Sequence, residues 1–210
     1  MSKEIMDKIT EGRQYRDIDM TGFEIRAEED GKIVEGYATV FGQPYELWSV
    51  PGYSVYEQID ERAFDECDMS DVIMQYNHEG RVFARTGNGT LDVRVDDKGL
   101  HCRADLGGTA LGSQVYEEIR GGYTDKMSFG FRVKEDERRI TEDNETGAVT
   151  VLRVITNISK LYDVSAVSIP ANDATSISAR SYGEGVIDEV AEEFRKRRRQ
   201  KQIIRILAEV

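Results

Sequence analysis

Apolar and polar residues alternate strictly across Lys126–Val133, with Met127, Phe129, Phe131 and Val133 on one face and Lys126, Ser128, Gly130 and Arg132 on the other. A period of two predicts a half-buried β-strand. Successive side chains leave a strand on opposite faces, so Ser128 is expected to stand away from the packed aromatics. Gly130, two residues on, clears the space beside the hydroxyl and lets another backbone come close. The same alternation predicts strands at Phe23–Ala27 and Lys32–Phe41, joined by a hairpin turn at 29–31. Further strands are predicted at Asp71–Asn77, at Thr90–Val95 and Leu100–Leu106 around the turn Asp96–Gly99, at Val149–Ile155 and at Leu161–Ile169.

Helical spacing is rarer. Leu111, Val115 and Ile119 recur every fourth residue and predict a helix over Thr109–Arg120, stopped by Gly121-Gly122. Asp60 is placed to cap a short helical turn that runs to Cys67. Residues 42–58, with the breakers Gln43-Pro44 and Pro51-Gly52, read as a loop, and residues 135–147 as an exposed acidic excursion. About nine strands and one internal helix predict a mainly β (α+β) fold, an antiparallel β-barrel or sandwich decorated by a few helices. The domain plan is a mobile N-terminal arm (1–21), a β-barrel domain (22–180) and a C-terminal basic amphipathic helix (181–210), entered through linker-like residues 172–183.

Composition narrows the picture. A chain of 210 residues with 39% hydrophobic content can build one substantial core. No apolar run is long enough to cross a bilayer, and the first residues lack a secretory apolar region, so a protein made and kept in a cytoplasm is expected. The net charge of −12 argues against general nucleic-acid binding. Residues 191–210 carry seven Lys/Arg against three Asp/Glu, a net +4 that leaves −16 on the rest. The basic run at 195–201 reads as a solvated helix face before a nucleic-acid contact. Two isolated cysteines, Cys67 and Cys102, predict free thiols and no zinc site, and Gly107-Gly108 lacks a phosphate-binding pattern.

Histidine is the scarce residue, with only His78 and His101 present. His101 falls on the polar side of its strand beside Arg103 and Asp105 and reads as a solvated histidine. His78 lies at a strand end between Asn77 and Glu79, where polar groups gather around sites. A nucleophilic serine needs a base, and the base needs an acceptor to fix its tautomer. Candidates for that third role are Asp163, Glu79 and Ser165. Asp163 lies in an otherwise apolar strand, where an unpaired carboxylate would be expensive to bury.

Gly36–Gly42, Glu57–Phe64, Asn77-His78, Lys126–Phe131 and Leu161–Asn172, in this order and spacing, resemble the prohead (capsid-maturation) serine proteases of tailed bacteriophages over residues 22–180. The resemblance implies a β-barrel endopeptidase related to the herpesvirus assemblins, with Ser128 as nucleophile and His78 as general base. The herpesvirus enzymes use a second histidine on a strand after the serine. No histidine follows Ser128 here, and Asp163 is the acidic residue on the matching strand. Backbone N–H groups near Ala171-Asn172 are the expected oxyanion donors.

The function so implied is cleavage of scaffolding protein, or of the scaffold-like segment of the major capsid protein, and of the protease itself, inside the procapsid in the infected bacterial cytoplasm. Expected partners are the major capsid protein and the scaffolding protein, with self-association possible and no cofactor, membrane or nucleic acid. Residues 184–210 are the expected packaging element. The competing class is a non-catalytic virion assembly module that keeps the barrel as a binding platform.

Overall fold

The computed structural model describes residues 12–18, 23–28, 31–167 and 173–208. Among these residues eleven strands run in order: β1 (Gln14–Ile18), β2 (Phe23–Glu28), β3 (Gly31–Val40), β4 (Tyr45–Val50), β5 (Tyr53–Ile59), β6 (Ile73–Tyr76), β7 (Glu79–Arg85), β8 (Leu91–Val95), β9 (Gly99–Asp105), β10 (Lys126–Glu142) and β11 (Val149–Val167). Two helices join them, α1 (Ala110–Arg120) and α2 (Asp173–Ala208).

The predicted α+β class holds, but the strands form two sheets that do not close into a barrel. A seven-stranded sheet follows the order β1-β10-β11-β5-β4, with β6 paired to β11 and β7 to β6. A four-stranded sheet follows β2-β3-β9-β8. Nor is the larger sheet wholly antiparallel. β11 pairs in parallel with β5 through its first half and with β6 through its second. Residues of both sheets and of α1 share the main core, including Leu100, Leu106, Ile119, Phe129, Phe131, Ile158 and Leu161. The alternation at 126–133 therefore buries the face it predicts, with Phe129 and Phe131 stacked 4.5 Å apart.

Several segments differ from the sequence-based expectation. Residues 42–58, expected as a loop, form most of β4 and β5, a pair bent back at Pro51-Gly52 with Gly52 at φ +85°. The inward positions of β5 are Val55, Glu57 and Ile59, and the glutamate hides the alternation. The excursion at 135–147 is exposed as expected, yet β10 continues to Glu142 before turning at Asp143–Gly147. The strand expected at 149–155 and the described part of the one expected at 161–169, up to Val167, are one 19-residue strand, β11. β7 was not predicted.

The ends depart most. The N-terminal arm, expected to be mobile, includes β1, which pairs with β10 along the serine strand. The linker expected at 172–183 is already helical from Asp173. Tyr182, Val186, Ile187 and Val190 of α2 pack with Val55, Val149 and Val151 in a second core, flanked by Trp48 and Phe194. The helix is therefore docked on the body through its middle turns.

Candidate active site

β11 is the strand that assembles the site. On one side its Asp163 and Ser165 pair with Gly130 and Ser128 of β10. Residues paired across a ladder share a face, so Ser128, Asp163 and Ser165 project together, with Gly130 leaving a gap. On the other side β6 runs parallel to residues 163–166 and delivers the β6–β7 turn beside them.

That turn consists of Asn77 and His78. Among the described residues they are the only non-glycine residues with positive φ, 49° and 60°. Two central residues with positive φ mark the hairpin turn favoured by strand twist, where Asn is well suited and the second place prefers Gly. His78 holds that place against its backbone preference, as strained residues at functional sites do. The Asn77 N–H bonds the Ala166 carbonyl at 3.0 Å and ties the turn to β11.

The imidazole then bridges the two partners. His78 Nε2 lies 2.6 Å from Ser128 Oγ, and Nδ1 lies 2.5 Å from Asp163 Oδ1. With Asp163 ionised, Nδ1 donates and Nε2 is left to accept from the hydroxyl. Ser165 Oγ donates to Asp163 Oδ1 at 3.0 Å, and Arg13 pairs with the other carboxylate oxygen. Burial pushes the Asp163 carboxyl up. The hydrogen bond and charge of His78 and the Arg13 guanidinium outweigh it and hold the pKa below the ordinary value. The carboxylate stays charged beside the imidazole. Hydroxyl, imidazole and carboxylate thus form one hydrogen-bonded chain, the arrangement that activates a serine and stabilises the imidazolium formed.

The other candidates separate clearly. Ser165 is hydrogen-bonded to Asp163. Glu79 is exposed at the start of β7. His101 lies in the four-stranded sheet, half-buried and edge-on to Tyr37 with centroids 5.1 Å apart. Ala171-Asn172 lie outside the described residues. No group of three or more His, Cys, Asp or Glu suited to a metal is found among the described residues.

Ser128 does not border the open space expected of it. Ser128 and Asp163 are 0% exposed, and the His78 side chain is 4% exposed. The cover is the N-terminal segment, whose part in the site no sequence pattern announced. Tyr15 lies 4.3 Å from the His78 ring, Arg13 pairs with Asp163, and the Arg16 carbonyl accepts from Ser128 Oγ at 2.9 Å.

A second buried cluster adjoins it. The Arg16 guanidinium forks onto Glu57, with Nε 2.5 Å from Oε1 and the terminal nitrogen 3.0 Å from Oε2. Glu57 also accepts from Tyr45 Oη at 2.5 Å and from Arg153 at 2.8 Å. Burial pushes the Glu57 carboxyl up, but the charges of Arg16 and Arg153 and the bonds from Arg16 and Tyr45 hold it at about 2.

A family model described as caudovirus prohead serine protease matches residues 21–187. The prohead protease of Enterobacteria phage HK97 is 28% identical over 166 residues, 78% of this chain and 67% of the relative. Among solved structures, the capsid assembly protease of bacteriophage T4 aligns with a TM-score of 0.40 at 15% identity, over 74% of this chain and 98% of that one.

Proposed function

The chain belongs to the caudovirus prohead serine proteases, enzymes of phage capsid maturation, and on that premise we propose that Ser128, His78 and Asp163 are its catalytic triad. The observation that carries the assignment is the continuous hydrogen-bonded chain from Ser128 Oγ through both nitrogens of His78 to Asp163. Ser128 Oγ attacks the peptide carbonyl while His78 Nε2 takes its proton. His78 returns that proton to the leaving amine, and a water then repeats the cycle on the acyl-enzyme. Asp163 keeps the proton on Nδ1 and offsets the charge of the imidazolium. Held below its ordinary pKa, it stays ionised throughout the neutral range.

The substrates on this reading are the scaffolding protein, or the scaffold-like segment of the major capsid protein, and the protease itself, inside the procapsid. Packaging falls to residues 195–208, the basic end of α2. The preceding turns are committed to the second core, so deletion from residue 184 would strip Val186, Ile187 and Val190 from the body. Truncation after Phe194 is expected to spare peptide cleavage and exclude the enzyme from particles; equal loss of both refutes this role.

The test of the triad is co-expression with the scaffold and capsid proteins of the same phage, read by gel and product mass spectrometry. Ser128→Ala and His78→Ala are each expected to abolish processing. Processing unchanged in either variant overturns the assignment and favours a non-catalytic assembly module.

A further inference from the structure

β1 lies against β10 as an antiparallel strand, with Tyr15 opposite Gly130, Arg16 opposite Phe129 and Asp17 opposite Ser128. Residues 13–16 touch every member of the triad, through the Arg13 guanidinium, the Tyr15 ring and the Arg16 carbonyl. An extended peptide docking on an enzyme by adding a strand to a sheet edge would make the same backbone pairing. We propose that residues 13–17 are a built-in pseudosubstrate, and that the protease takes extended peptides with arginine at the residue bearing the scissile carbonyl, selected by Glu57. This rests on the triad reading above.

Three observations converge on Arg16. Its carbonyl is the one that meets the nucleophile, at 2.9 Å from Ser128 Oγ. Its side chain, 4% exposed, ends in a two-pronged contact with a fully buried carboxylate. Such a fork fits a guanidinium and neither an ammonium nor a neutral side chain. With Arg16 in place the cluster balances Arg16 and Arg153 against Glu57 and Asp136. Without a guanidinium a buried negative charge is left over, which is costly, so the pocket favours arginine by more than contact area. Glu57 lies in one of the stretches that carry the family resemblance, yet no step of the triad chemistry uses it.

The segment is held in a form that resists cleavage. Its carbonyl presents oxygen to the Ser128 hydroxyl, as a hydrogen-bond acceptor. Cleavage requires that oxygen to turn toward separate donors and expose the carbon. The hydroxyl has one proton, and the Arg16 carbonyl competes for it with His78 Nε2, 2.6 Å away. An incoming substrate must therefore displace β1 and put its own arginine into the Glu57 pocket.

The test uses the full chain, wild type and Arg16→Ala, with two probes. One is a fluorogenic peptide of residues 12–18 (Gly-Arg-Gln-Tyr-Arg-Asp-Ile), with versions carrying Lys, Ala or Glu in place of its second arginine. The other is a fluorophosphonate that labels an activated serine. Removing a self-occupant raises the fraction of competent enzyme, so Arg16→Ala is expected to speed labelling and raise kcat/KM by about tenfold or more. Both forms are expected to cut the arginine peptide at least about tenfold better than the alanine and glutamate versions. Glu57→Gln in the Arg16→Ala background is expected to erase that ranking while labelling persists. The ranking needs no Glu57 variant, so a Glu57→Gln protein that fails to fold does not remove the test. Labelling and cleavage without arginine preference, labelling without cleavage of any peptide, or Arg16→Ala indistinguishable from wild type, overturns the pseudosubstrate and leaves the triad standing. Absence of both labelling and cleavage in every form sinks the triad reading itself, and this inference with it.

Discussion

Gly130→Ala tests the role of Asp163 without replacing any member of the proposed triad. The added Cβ would stand 2.3 Å from Asp163 Oδ2, 2.9 Å from Tyr15 Cε1 and 3.0 Å from Arg13 Nε. Tyr15 of the short strand β1 and Arg13 just before it can yield. Asp163 cannot do so freely, because it is rooted in the centre of β11 and held by His78, Ser165 and Arg13. To restore an ordinary contact of 3.4 Å its oxygen must retreat by about 1 Å. A misplacement of about 1 Å in a positioned catalytic group costs roughly 10²-fold in rate. The ceiling is the roughly 10⁴-fold fall seen when an orienting carboxylate is neutralised. Gly130 does not have a positive φ, so alanine meets no backbone objection, and overpacking should cost about 1–3 kcal/mol of stability. The assay is kcat on a cleavable peptide, beside the urea midpoint of the same preparation. We expect kcat reduced at least about 10²-fold in a folded protein, and no further additive loss on combining Gly130→Ala with Asp163→Asn. A folded Gly130→Ala enzyme with wild-type kcat would refute the claim that Asp163 steadies His78.

Three further outcomes are expected. Asp163→Asn should lower kcat by about 10⁴-fold, whereas Ser165→Ala, which removes one supporting bond, should cost only about tenfold; equal losses would mean that Ser165 does more than hold the carboxylate. The carboxyls of Glu57 and Asp163 titrate below their ordinary values in the folded chain, so their contribution to stability is full above the ordinary carboxylate range and is lost as pH falls. For Glu57 the loss spans pH 4.5 to about 2 and amounts to on the order of 3 kcal/mol. Urea unfolding across that range checks it, and a flat profile contradicts it. Finally, a Cβ at Gly183 would lie 2.5 Å from Trp48 Cβ, so Gly183→Ala should loosen α2 from the sheet; a red shift of the emission of Trp48, the sole tryptophan, reports it, and an unchanged spectrum argues against the clash.

Some of this was legible in the residue order and some was not. Alternation located the hairpin of β2 and β3, the β8–β9 pair and the serine strand, and a four-residue spacing located the helix capped by Thr109, because these periods are local properties of the residue order. Ser128 and His78 were legible as a strand serine and a strand-end histidine, and Asp163 as a carboxylate out of place in an apolar strand. β5 was missed because its middle inward residue is charged. Glu57 tolerates that position only because Arg16 and Arg153, 41 and 96 residues away in sequence, converge on it.

Residue order was enough to mark the strands whose buried face is uniformly apolar and the residue types available for chemistry, since periodicity and side-chain identity are local properties. The rest depends on how distant segments assemble. Ladder register put residues 128 and 163 on one face, a left-handed turn swung the imidazole at 78 over both, and a polar N-terminal segment became a strand covering all three. These outcomes depend on partners distant in the chain, and a buried polar residue looks like a surface one until its counter-charge is in place.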